Sequence, residues 1–264
     1  MRYDATRSTL SLQHERRFSL AAANGQALKG YLQDTGRGPV GVFVHGFRST
    51  CAGDKSLALA HSAALHGRSW LRFDLRGHGG SGGDFRDFRV SAALEDVLAV
   101  LDWCPPRPVV IIGSSLGGWL AVLAAEIRPE RIAQLVLIAP AFNFLDEGFA
   151  ALFSGRMGTW RARGEMTFDD PFAGGQFTMA YAVRADARRF DVMDRDLSLQ
   201  CPVDIYHGEQ DQVVSIGLSR RFAERVDAPG VVLHAMPGGD HRLIHAVPLI
   251  LASLAQTWET YAGE

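Results

Sequence analysis

The segment Gly113-Ser114-Ser115-Leu116-Gly117 reads G-x-S-x-G, and its flanks say more than its letters. The apolar run Val109-Val110-Ile111-Ile112 leads in, and Gly118-Trp119-Leu120-Ala121-Val122-Leu123-Ala124-Ala125 follows with helical composition. A strand turning sharply into a helix sets the central serine on an exposed, strained corner. Glycine is needed on either side because a side chain there would strike the neighbouring strand or helix. Ser115 is therefore the candidate nucleophile. A hydroxyl is a poor nucleophile near neutral pH, so it needs an imidazole to take its proton and a carboxylate to orient that imidazole.

Two other serines compete. Gly79-Gly80-Ser81-Gly82-Gly83 fits the same pattern, but Asp84-Phe85-Arg86-Asp87 follows it instead of an apolar helix, so it reads as a flexible loop. Ser114 is not framed by the glycine spacing. Downstream, the strand ending at Tyr206 opens into His207-Gly208-Glu209-Gln210-Asp211, and the next strand runs out through Pro237-Gly238-Gly239-Asp240-His241. Asp211 and His241 fall on these two strand exits and are the candidate acid and base. Glu209, Asp204 and Asp146 are rival acids, and Asp211 could instead cap the helix beginning near Ser215. His245 reads as a packing residue and His207 as structural.

Acyl transfer also needs backbone N–H groups for the oxyanion of the tetrahedral intermediate. The N–H of Leu116, at the helix N-terminus where the dipole favours negative charge, is one candidate. The N–H of Phe47, in the loop His45-Gly46-Phe47 after the first buried strand, is the other. His45 is expected to brace that loop.

These residues must be held by strands and helices in alternation. Asn24-Gly25 between Arg17-Phe18-Ser19-Leu20 and Gly30-Tyr31-Leu32 signals a hairpin. Strands follow at Val40-Gly41-Val42-Phe43-Val44 and Trp70-Leu71-Arg72-Phe73, with helices near 55–65 and 91–103. Further strands are expected at 109–112, 135–138, 203–206 and 231–233, and helices after Ser115, near 217–225 and from 243 to about 261. Such alternation argues for an α/β fold with a mostly parallel twisted sheet and helices on both faces. The rhythm breaks between Ala141 and Gln200, where aromatics gather, among them Phe142, Phe144, Phe149, Phe153, Trp160, Phe168, Phe172, Phe177 and Tyr181. Residues 1–140 and 201–264 are read as the core and 141–200 as a small cap insertion walling an acyl pocket. The arginines of that segment read as solvated surface.

With the order serine, acid, histidine in place, the chain resembles the α/β-hydrolases along nearly its whole length. A narrower likeness lies in His45-Gly46-Phe47-Arg48-Ser49 with Gly53 and Lys55, in Arg72-Phe73-Asp74, in Gly113 to Leu120 and in Asp240-His241-Arg242. These strings are similar to the acyl-glucuronide esterase and palmitoyl-protein thioesterase group. The resemblance implies Ser115, Asp211 and His241 as a triad and a small-molecule acyl ester or thioester as substrate. A peptidase or acyltransferase on the same residues, or a non-catalytic binding member of the fold, are the alternatives. Ester against peptide turnover separates the first two, and fluorophosphonate labelling the third.

Composition narrows the rest. At 264 residues the chain can bury one substantial core, and 47% hydrophobic with 21% charged residues is ordinary for a globular protein. A formal net charge of −2 gives no reason to expect nucleic acid. Cys51, Cys104 and Cys201 show no C-x-x-C spacing, so no disulfide framework, zinc site or other metal is expected, and no cofactor. The N-terminus carries Asp4 and Glu15 with no apolar signal core, although Arg2, Arg7, Arg16 and Arg17 leave room for a transit sequence. Apolar tracts such as 246–255 fall short of the roughly 20 residues that cross a bilayer. A cytoplasmic protein without a membrane span is expected, and no oligomeric state is assigned.

Overall fold

The computed structural model describes residues 12, 14–146, 148–170 and 174–261. Arg2, Asp4, Arg7 and Phe172 of the sequence reading lie outside them. The strands are β1 (Arg16–Ala21), β2 (Ala27–Gln33), β3 (Val40–Val44), β4 (Ser69–Asp74), β5 (Val109–Ser114), β6 (Ile132–Ile138), β7 (Glu165–Asp169), β8 (Gln176–Ala180), β9 (Val203–Gly208) and β10 (Val231–Met236). All but β7 and β8 form one sheet in the order β1-β2-β4-β3-β5-β6-β9-β10. The hairpin β1–β2 joins it antiparallel, and every pairing from β4 to β10 is parallel. β3 and β5 are buried along their whole length, as continuous apolar runs between two layers must be.

The α-helices among the described residues are α1 (Asp54–Leu65), α2 (Val90–Trp103), α3 (Leu116–Ile127), α4 (Gly148–Leu152), α5 (Met157–Arg163), α6 (Val183–Ala187), α7 (Ile216–Arg225) and α8 (Val247–Thr260). On one face of the sheet Leu59, Ala60 and Ala63 of α1 pack with Ile250, Leu254 and Trp258 of α8. On the other, Val97 and Leu101 of α2, Leu120 and Leu123 of α3 and Phe222 of α7 share a core. The mostly parallel sheet expected from the alternation, and the α/β-hydrolase fold that the resemblance implied, are observed.

The last helix departs from its expected start. Leu243 is left-handed at φ 48, and a short 3₁₀ turn at 244–246 precedes α8. The Asp240 carboxylate causes this by accepting the N–H groups of Arg242 and Leu243, at 3.1 and 3.0 Å, which curls the chain before it can wind as α-helix.

Between β6 and β9 the chain forms α4, α5, the separate antiparallel hairpin β7–β8 and α6. Met166 and Phe168 of β7 and Phe177 and Met179 of β8 are buried at alternate positions, the period of a half-buried strand. Their rings pack with Phe149 and Trp160. This segment is tied to the sheet's helices by the Trp119 indole N–H to the Phe190 carbonyl (2.9 Å) and the Ser91 N–H to Asp186 (3.0 Å).

Candidate active site

Ser115 sits between β5 and α3 with φ 55 and ψ −119, a conformation that a non-glycine residue holds only where its surroundings enforce it. They do so here: the Ser115 N–H is bonded to the Ile138 carbonyl at 2.9 Å, and its own carbonyl accepts from Gly118 and Ala141. The flanking glycines are sterically required. A Cβ on Gly117 would stand 2.1 Å from the Val44 carbonyl oxygen, and one on Gly113 would stand 2.4 Å from that of Gly117. Ser81 of the rival motif is committed to its loop, donating to the Asp74 carbonyl (2.6 Å) and accepting the Lys29 N–H (2.8 Å).

The parallel register of β5, β6, β9 and β10 brings their carboxyl ends to one edge of the sheet, and there the sequence-expected residues meet. His241 Nε2 lies 3.1 Å from Ser115 Oγ, and His241 Nδ1 lies 2.7 Å from Asp211 Oδ2. Asp211 Oδ1 accepts the N–H groups of Val213 and Val214 in the loop before α7, at 2.8 and 2.9 Å, whereas the helix itself is capped by Ser215, whose hydroxyl accepts the Gly217 N–H at 3.1 Å. Burial by itself raises the Asp211 carboxyl. The bonds from His207 and His241, the charge of His241 and the Val214 N–H outweigh it and hold the group well below the usual carboxylate range. Ionised at neutral pH, it favours an imidazole with hydrogen on Nδ1, leaving Nε2 free to take the serine proton.

The rival acids are engaged elsewhere. Asp204 pairs with His234 and accepts from Gln134, Asp146 pairs with Arg184 and Arg188, and Glu209 is exposed. His245 is exposed on the turn before α8. His207 is fully buried, and sequence reasoning understated it: Nε2 reaches the Val214 carbonyl (2.9 Å) and Asp211 Oδ2 (3.2 Å), while Nδ1 meets Ser219 Oγ (2.7 Å). Its place at the end of β9, four residues before Asp211, was the available signal.

The loop after β3 lies against the serine, with the Cβ direction of Gly46 3.0 Å from Ser115 Cβ and 3.6 Å from its Oγ. His45 Nδ1–H donates to the Gly46 carbonyl at 2.8 Å, and Nε2 accepts the Leu75 N–H at 3.1 Å. Burial pushes this imidazole down, against the Gly46 bond and the Asp74 charge, so it is neutral. Because a peptide unit is planar and trans, fixing the Gly46 carbonyl also fixes the Phe47 N–H on its opposite side. The N–H of Leu116, first residue of α3, has no intrahelical acceptor.

Ser115 and His241 open into a cavity of about 500 Å³. Phe144, Phe149, Leu152, Phe153, Asp170 and Phe177 line it from the 141–200 segment, and Phe47, Arg48, Thr50, Lys55 and Arg242 from the core. Of its cations, Arg48 pairs with Asp170 and Arg242 with Asp54, whereas Lys55 has no hydrogen-bond or ion-pair partner among the described residues. Burial, and then the charge of Arg242, push the Lys55 ammonium down to about 8. Among the described residues no group of three His, Cys, Asp or Glu side chains is arranged to hold a metal ion. None of their helices is long and apolar enough to cross a membrane.

This sheet order and strand-to-helix corner define a class. Residues 42–254 match the model of the alpha/beta hydrolase family; the chain belongs to that family and is an enzyme of hydrolase type. It is 31% identical over 214 residues to the palmitoyl-protein thioesterase ABHD10, mitochondrial, of Mus musculus, covering 81% of this chain and 72% of that one. The solved structure of alpha/beta hydrolase domain-containing protein 10 from mouse superposes with a TM-score of 0.83 at 27% identity, covering 93% of this chain and 99% of that chain. A protein of Agrobacterium vitis S4 described as a hydrolase superposes with a TM-score of 0.84 at 28% identity, covering 92% and 98%.

Proposed function

We propose that this chain is a serine hydrolase cleaving carboxylic esters or thioesters of the acyl-glucuronide or acyl-thioester type. The observation that carries the reading is the single imidazole of His241 in contact with Ser115 Oγ at 3.1 Å and Asp211 at 2.7 Å. Ser115 attacks the acyl carbonyl as its proton passes to His241 Nε2, and Asp211 stabilises the imidazolium that forms. The N–H groups of Phe47 and Leu116 hold the oxyanion. His241 then returns its proton to the leaving alcohol or thiol. Water, deprotonated by His241, attacks the acyl-enzyme, and collapse of the second tetrahedral intermediate frees the acid and Ser115.

The 141–200 segment acts as a cap whose rings Phe144, Phe149 and Phe177 receive the acyl chain, an apolar lining of the kind that small ligands occupy. Lys55, which lines the cavity with no hydrogen-bond or ion-pair partner among the described residues, supports substrates with a carboxylate near the reacting ester, as in an acyl glucuronide. The name of the mouse relative supports a thioester alternative. The cytoplasm is the compartment proposed here, and the free, buried Cys51, Cys104 and Cys201 are compatible with any reducing compartment. The mitochondrial name of that relative makes the mitochondrion the compartment to test against.

A panel of p-nitrophenyl esters, acyl-CoA thioesters, acyl glucuronides and peptides tests the reading. Turnover of an ester or thioester, abolished in Ser115→Ala, is the expected result. Turnover of peptides alone would replace it with a peptidase, and no turnover without fluorophosphonate labelling would leave a binding protein.

A further inference from the structure

The loop that carries the Phe47 N–H is a turn, closed by the Ser49 N–H on the Gly46 carbonyl at 3.2 Å. Its third residue, Arg48, is left-handed at φ 57, a position where glycine or asparagine is the easier choice. An arginine held there must be kept by its side chain. Arg48 Nε donates to Asp170 Oδ2 at 3.0 Å, and its guanidinium carbon lies 5.2 Å from the Phe85 ring and 5.4 Å from that of Phe177. The Asp170 carboxylate is 2% exposed. Asp170 is clasped beyond β7, its N–H on the Gly175 carbonyl at 2.9 Å and its own carbonyl accepting from Gly174 at 3.2 Å. The neighbouring Phe47 ring meets Phe144, Phe149 and Phe177 of the same segment.

The turn is thus anchored from two sides. His45 ties the Gly46 carbonyl to the sheet, and Asp170 ties Arg48 to the 141–200 segment. We propose that Arg48 and Asp170 are positioning residues that hold the Phe47 N–H at the oxyanion, so that the 141–200 segment sets the rate of acyl transfer as well as the shape of the pocket. Releasing the pair leaves the turn held from the His45 side alone, so the Phe47 N–H shifts away from the oxyanion position. The ground-state ester gains little from that N–H, whereas the tetrahedral oxyanion needs it, so the loss falls on kcat. This inference rests on the hydrolase reading and on the oxyanion role of Phe47.

The test uses the full chain, p-nitrophenyl butyrate, and a trifluoromethyl ketone that adds to Ser115 Oγ to give a tetrahedral oxyanion. Asp170→Asn removes the charge of the partner. Arg48→Gly removes the anchor at a site where glycine suits the backbone, which keeps a folded variant available. Each is expected to lower kcat about 10-fold, part of the roughly 10²–10³-fold that a whole oxyanion donor contributes. KM should stay within about twofold, ketone affinity should weaken in parallel with kcat, and the double variant should be no slower than the worse single one. Unchanged kcat in folded Arg48→Gly, unchanged ketone affinity, or additive losses would each overturn the proposal. A wild type inert toward every ester and toward the ketone would overturn the hydrolase reading beneath it.

Discussion

His207 Nε2 stands 3.2 Å from Asp211 Oδ2, the same oxygen that receives His241 Nδ1–H at 2.7 Å. Two imidazoles therefore converge on one fully buried carboxylate oxygen, while its other oxygen takes two backbone N–H groups. His207→Asn removes the second imidazole from that oxygen. One hydrogen bond to a charged group contributes about 1.5–3 kcal/mol, so kcat/KM toward an ester should fall about 10-fold or more. Steady-state kinetics beside a thermal melt check this; an unchanged rate would make His207 a packing residue only.

Asp211→Asn should reduce kcat by about 10³–10⁴-fold, because the amide can no longer hold His241 in the tautomer with Nδ1–H outward. It also alters stability with a defined pH window. The Asp211 carboxyl is depressed in the folded chain, so its stabilisation is complete above the unfolded value near 4 and is lost as pH falls through the lower folded value. Denaturant unfolding should show wild type ahead of the variant by about 1–3 kcal/mol at pH 6, with the gap closing below pH 4. A gap that stays constant between pH 6 and pH 2 would contradict the assignment.

The rings of His45 and His78 lie 5.0 Å apart. Burial pushes both down, His78 to about 3. Here the unfolded chain binds protons near pH 6.5 and the folded chain does not, so stability is full above that pH and falls below it. The His78 ring removes about 1.4 kcal/mol per pH unit between those values, and His45 acts in the same direction. Unfolding curves at pH 7.5, 6 and 5 should show this slope, and His78→Phe should flatten it. A pH-independent stability across that range would show that the rings are protonated in the folded protein.

Lys55→Met should raise KM for an acyl ester bearing a carboxylate on its leaving group by about 3–10-fold, with a neutral ester of the same acyl chain changed less than twofold. The wild-type preference should fade above pH 8, where the ammonium pushed to about 8 loses its proton. An equal effect on both esters would remove Lys55 from substrate selection.

Where chemistry and backbone geometry demand the same residue, the chain was readable. The glycines around Ser115 are there because Val44 and Gly117 leave no room for a Cβ, so the corner announced itself in one dimension, and the apolar runs of β3 and β5 could only be strands buried on both faces. Asp211 and His241 were legible because parallel strands deliver their exits to one edge. The hairpin β7–β8 was not, although Glu165-Met166-Thr167-Phe168-Asp169 alternates, since aromatics on every side obscured a period of two. Arg48 and Asp170 were silent for a different reason. They lie 122 positions apart, and neither a left-handed backbone nor a partner at that distance leaves a local pattern.

The contact between Ser115 Oγ and His241 Nε2 is tested most directly by replacing the serine. Ser115→Ala, with its melting curve unchanged, should lose about 10⁴–10⁶-fold of the wild-type rate on short p-nitrophenyl esters and all labelling by a fluorophosphonate. Labelled peptide from the wild type should carry the adduct on Ser115. Full ester turnover in Ser115→Ala, or an adduct on Ser114 or Ser81, would contradict the account.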